Sequence, residues 1–208
     1  MFALKQEPEA AGFWGWFDEN EAMLAEAATN LDDMTMEQLE PVLDDLLLAI
    51  QEIDERLFAE LGLAADGSPK LLVTADGDRE AMLIARDLVA IAPAFKGWKF
   101  EALRERKEVT DTFALPHGGE ISLSEAVFVM EVHGGKAEIA IGLDGWDDAR
   151  AEEYGLAAEH LVEVTLGEAD YALGVSGVMA LALTDLEEEA DPWPLKALAC
   201  EFDKQLGV

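Results

Sequence analysis

The segment Thr74-Ala-Asp-Gly-Asp-Arg-Glu80 sets Asp76 and Asp78 two positions apart, after the apolar run Leu71–Val73 and ahead of a helical pattern. Strand ends that lead into helices are where α/β proteins hold ligands, because the first helical amides point outward unpaired. Two carboxylates there suit a divalent cation better than a phosphate. An aspartate turn with a helix cap explains the same residues, and the loop lacks the ligand series of a calcium site. Gly77 stands alone where a phosphate or dinucleotide loop needs several glycines. Zinc requires three or four converging ligands. His160 shares a helix face with Glu163 but has no acid or histidine three or four places before it, and His117 and His133 each begin a His-Gly-Gly turn. Metal-assisted hydrolysis would therefore have to draw on Asp76, Asp78 and His160. Gly174-Val-Ser-Gly-Val178 lacks the spacing of a nucleophile elbow, and Cys200 has no histidine in its segment. No catalytic set is assembled, and no cofactor is expected.

Recognition is the second chemistry on offer. Phe13, Trp14, Trp16 and Phe17 fall close together, and Trp98 and Phe100 lie among Lys96, Lys99, Arg104, Arg106 and Lys107. Large aromatics serve cores and partner surfaces alike, and aromatics interleaved with bases would suit RNA in a neutral protein. The chain, however, carries 45 acids against 14 bases, a net charge of −31, with the surplus concentrated toward the two ends. Such a field repels nucleic acid and anionic lipid. The basic segment is expected to pair with the chain's own carboxylates or with a small anion. The aromatics are expected to form core, the alternative being a recognition patch of Trp14, Trp16, Trp98, Phe100, Lys99 and Arg104.

The elements that must position these residues follow from periodicity. At 208 residues, half of them hydrophobic, the chain can bury a substantial core, and a single cysteine fits a reducing compartment. The start, MFALKQEPEAAG, lacks the basic and apolar regions of a secretory signal, and no apolar run is long enough for a membrane span. A cytoplasmic protein is expected. A first helix runs to about residue 28. Thr35 and Gln38 form a capping box opening a second, in which Pro41 should kink the first turns. Leu39, Leu43, Leu46, Ile50, Ile53 and Leu57 continue it to Gly62, as one side of a helical hairpin or as a short coiled-coil seam. Strand, helix and strand over residues 71–103 predict a parallel pair. A hairpin turns at Gly134-Gly135, a helix from about residue 149 stops at Gly167, and a second hairpin is expected around Ser176 and Gly177. Residues 186–194, LEEEADPWP, are expected as an acidic, proline-bounded loop before a short closing helix. The fold class is α+β. A helical hairpin, residues 11–62, packs on a ferredoxin-like mixed sheet, residues 68–208, in which the βαβ unit is followed by two β-hairpins and a helix.

The words FWGWFDENE at residues 13–21, LLVTADGD at 71–78, IAPAFKGWKFEAL at 91–103 and LGEADY at 166–171 resemble those of a family of uncharacterised bacterial proteins. The resemblance implies a bacterial cytosolic protein and brings no catalytic residue with it. The residues themselves favour a noncatalytic binding or regulatory module whose acidic surface holds a basic protein partner, such as an immunity-type inhibitor of a basic toxin. One alternative is a small metal-assisted hydrolase acting on a small molecule. The other is a dimeric scaffold joined through the Leu39 to Leu57 seam, so the chain is expected as monomer or homodimer. The acidity also has a plain reading as solubility in a salty cytoplasm.

Overall fold

Six α-helices and three small sheets of mixed strand direction make up the described residues, which are 7–31, 33–109, 112–115, 120–189 and 191–207 of a computed structural model. The chain divides into two units, Met1–Arg104 and Glu105–Val208.

The first unit contains α1 (Glu7–Thr29), α2 (Met36–Gln51), β1 (Phe58–Leu63), β2 (Pro69–Thr74), α3 (Arg79–Ala90) and β3 (Lys99–Ala102). The capping box forms as expected, the Thr35 amide donating to Gln38 Oε1 at 3.0 Å. The helix continues through Pro41, then ends at Gln51 rather than Gly62. Asp54 accepts a hydrogen bond from the Arg56 amide at 3.0 Å, a local turn that competes with further helix. Ile53 and Leu57 stay buried in this turn, so apolar spacing persisted beyond the helix and mimicked a longer seam. Phe58–Leu63 instead pairs antiparallel with β2, from Phe58 opposite Thr74 to Leu63 opposite Pro69. The expected strand, helix and strand are present, with β2 and β3 parallel from Lys70 opposite Lys99 to Val73 opposite Ala102.

The second unit contains β4 (Thr112–Ala114), β5 (Glu120–Ser122), β6 (Val127–His133), β7 (Lys136–Leu143), α4 (Ala151–Gly174), β8 (Val175–Ala182), α5 (Leu183–Glu189), β9 (Trp193–Pro194) and α6 (Leu198–Leu206). Strands β4 and β5 form their own pair, and the larger sheet has the order β8-β7-β6-β9. Gly134 and Gly135 both take positive φ, 61° and 80°, which closes the two-residue β6–β7 turn and sets His133 opposite Lys136.

The expectations for this unit are met only in part. The helix does break at Gly167 as expected, at φ 75° and ψ 158°, but a second helical stretch follows directly and runs to Gly174. There is also no hairpin at Ser176, because Val175–Ala182 is one strand running parallel to β7. Helix α4 thus acts as the crossover of a second strand, helix, strand unit, which a parallel pair requires. The first part of the expected acidic loop is helical, as α5. The strands expected to share one ferredoxin-like sheet fall into three. Alternate residues of β6 and β7, including Phe128, Met130, Ile139 and Ile141, pack on Leu161 and Val162 of α4 and Leu198 and Phe202 of α6. Among the described residues no helix is long and apolar enough to cross a membrane.

Candidate functional site

Asp76 and Asp78 end β2 and open α3, where the Asp78 carboxylate accepts from the amides of Glu80 at 3.1 Å and Ala81 at 2.9 Å. The Ala81 amide, with the nearby Arg56 guanidinium, holds the Asp78 carboxyl below the usual carboxylate range. Arg56 bridges Asp54 at 2.8 Å, Asp78 at 3.1 Å and Glu80 at 3.2 Å. Asp76 is paired with Arg104 at 3.2 Å. Both candidate metal carboxylates are therefore engaged by arginine. Among the described residues no three His, Cys, Asp or Glu side chains are grouped to hold a metal ion.

The aromatic residues come together within the first unit. Phe13, Trp14, Phe17 and Trp98 are buried, and Trp16 and Phe100 are half-buried. Trp14 meets Phe100 edge-on at 5.0 Å, and Phe17 meets Trp98 at 4.9 Å, the T-shaped arrangement that ring quadrupoles favour. The Trp14 indole nitrogen is buried without a hydrogen-bond partner beside an open apolar groove of about 660 Å³ lined by Ile91, Pro93 and Phe95. The knot at residues 13–17 is core with one margin on that groove.

Three of the five bases of the segment, Lys99, Arg104 and Arg106, pair with the chain's own acids. Lys99 lies 3.6 Å from Asp66, and Arg104 lies 2.7 Å from Glu60. Arg106 reaches both Asp170 and Asp203 at 2.6 Å. His133 contacts Glu131 at 3.1 Å and His160 lies 4.0 Å from Glu163, both histidines exposed. His117 falls outside the described residues. Cys200 is a free, exposed thiol.

The remaining face of the larger sheet was not singled out from sequence. One side of β6 and β7 is covered by α4 and α6, and the residues between point the other way. Register places them in rows: Val129 opposite Ala140 and Met179, then Glu131 opposite Glu138 and Gly177. These residues, with Leu181 and Leu186 of α5, line a groove of about 570 Å³. Met179 is 57% exposed. Two carboxylates directly across a strand pair repel each other, an arrangement that costs stability. Lys136 and His133 form the next row, so one base and one imidazole border the acids. Helix α5 adds exposed Asp185, Glu187 and Glu188 nearby in sequence. The signal existed: the two-glycine turn, with strict alternation on both sides, already fixes Glu131 opposite Glu138.

Compared with known proteins, the chain matches no family model and no curated sequence. The functional reading accordingly rests on the chain's own residues.

Proposed function

We propose that this protein is a noncatalytic binding module that holds a basic protein partner on the open face of the β8-β7-β6 sheet. The observation that carries the reading is the Glu131–Glu138 pair. It keeps two like charges opposed beside exposed apolar surface, while Arg56, Arg104 and Arg106 are occupied by other acids. A cation placed over the pair removes their repulsion and gains attraction from both, and the aliphatic stem of an arginine or lysine fits along Val129 and Met179. The acid surplus of the whole chain would speed encounter with such a partner.

The test is fluorescence anisotropy with a labelled octapeptide, Arg-Ser-Val-Ser-Arg-Ser-Val-Ser, in which arginine and valine alternate on one face of an extended strand. Binding is expected to weaken steadily between about 0.05 and about 0.5 M salt, as exposed charge pairs are screened. The doubly substituted Glu131→Gln, Glu138→Gln protein should bind about tenfold more weakly, a loss of roughly 1.4 kcal/mol. Equal binding of a serine–valine peptide, or affinity unchanged by both salt and substitution, would overturn the reading.

A further inference from the structure

The sheet edges of this protein are guarded unequally. A free strand edge offers unpaired amides and carbonyls to any other strand, and proteins blunt such edges with charge, proline or shortness. In the first unit, β1 carries Glu60 and β3 carries Lys99 and Glu101. In the second unit, β4 and β5 have three residues each, and β9 has two, one of them Pro194. Strand β8 is neither charged, proline-bearing nor short, and its one irregularity is a shift of register against β7 at Ser176, near its start, after which Gly177 to Ala182 pair regularly. Its eight residues, Val-Ser-Gly-Val-Met-Ala-Leu-Ala, contain no charge and no proline, and among the described residues it pairs with β7 on one side and with no strand on the other.

We infer that β8 is a strand-addition site: an extended, basic and apolar segment of the partner pairs with its free edge and directs a cationic side chain across Gly177 to Glu138. This inference rests on the acidic-module reading and specifies how the partner is held. The path across β8 exists because Gly177 has no side chain, and a Cβ placed there would meet nothing within 4 Å. Adjacent strands lie about 4.8 Å apart, so a residue on the added strand is two spacings from β7. An arginine or lysine spans that interval only where the intervening strand leaves a gap, and Gly177 lies in register with Glu138. The next row offers Met179 and Ala140 to an apolar side chain two positions along the segment. Alternation of cationic and apolar residues on one face of the segment matches this order. Charge decides the occupant, because a second copy would bring another chain of net charge −31 and another Glu131–Glu138 pair to the same edge, whereas a basic segment neutralises them.

The arginine–valine octapeptide and its fully N-methylated counterpart separate strand pairing from charge attraction, since methylation removes the backbone donors and keeps the side chains. Anisotropy and amide hydrogen exchange of the full chain are the readouts. The unmethylated peptide should bind at least about tenfold more tightly, in line with the loss of several backbone hydrogen bonds, and should slow exchange of amides in residues 177–182. Gly177→Val, which strand geometry accommodates, should weaken binding by closing the path to Glu138. Salt-sensitive binding that is equal for both peptides, with β8 exchange unchanged, would overturn strand addition and leave the acidic module standing. Binding of neither peptide would overturn both. A doubled mass with β8 already protected in the absence of peptide would assign the edge to a second copy and also overturn the inference.

Discussion

Arg106 shows how the charge of single residues is organised in this chain. Its guanidinium donates to Asp170 and Asp203 and to the Leu166 carbonyl at 3.1 Å, tying the segment that enters the second unit to α4 and α6. The Arg106 hydrogen bond holds the Asp203 carboxyl below the usual aspartate value of 3.8. A carboxyl depressed in the folded state contributes stability that is complete above its unfolded value and lost as pH falls through the folded one. Arg106→Gln should therefore cost about 1–2 kcal/mol near neutral pH, a modest figure because the partners are partly solvated. The gap between variant and parent should hold down to about pH 4 and shrink toward about pH 2. Urea unfolding across that range measures it directly. A gap independent of pH would show that Arg106 acts through packing alone. Sequence already suggested that the basic segment was internally paired, since so few bases face so many acids. It did not reveal which acids, because Asp170 and Asp203 lie 64 and 97 positions away.

At the scale of elements, two of the three glycines of α4, Gly155 and Gly174, have opposite roles. Gly155 has open space where a Cβ would stand, so Gly155→Ala should stabilise by about 0.5–1 kcal/mol through the lower entropy of the unfolded chain. At Gly174 an added Cβ would lie 2.5 Å from Phe202 Cζ and 3.1 Å from Leu206 Cδ2. Phe202 is buried and cannot move aside freely, so Gly174→Ala should destabilise by about 1–3 kcal/mol. Paired thermal melts decide the matter, and matching shifts for the two variants would contradict the packing of α4 on α6. Sequence made one element plain and misled over others for physical reasons. The Gly134-Gly135 turn was readable because positive φ at two successive residues is a local demand. Gly167 was readable as a helix break for the same reason, whereas the helical stretch that follows it to Gly174 left no local mark. Leu57 was placed in a helix because burial in a turn leaves the same spacing as burial on a helical face. The hairpin at Ser176 was wrong because strand partners are chosen by tertiary crossover, which no local signal records.

For the whole molecule, composition was the most informative property. On a chain of net charge −31 with half its residues hydrophobic, most carboxylates lie at the surface, with Glu168 a buried exception, and the arginines tie together acids distant in sequence. Those ion pairs engage Lys99, Arg104 and Arg106 of the basic segment, and they also engage Asp76 and Asp78, the carboxylates that looked most suited to a metal. What remains for recognition in the second unit is a sheet face where acid and exposed apolar surface adjoin. Sequence contained that face in its alternation, but burial was needed to show which side of the sheet stays open.

The most direct measurement is an amide chemical-shift map of the ¹⁵N-labelled full chain titrated with the arginine–valine octapeptide. The expected result is saturable shifts concentrated on Val129, Glu131, Glu138, Ala140 and residues 177–181, with the Glu131→Gln, Glu138→Gln protein losing them. Shifts spread evenly over the acidic residues of both units, or confined to α1 and α2, would contradict a partner site on the open sheet.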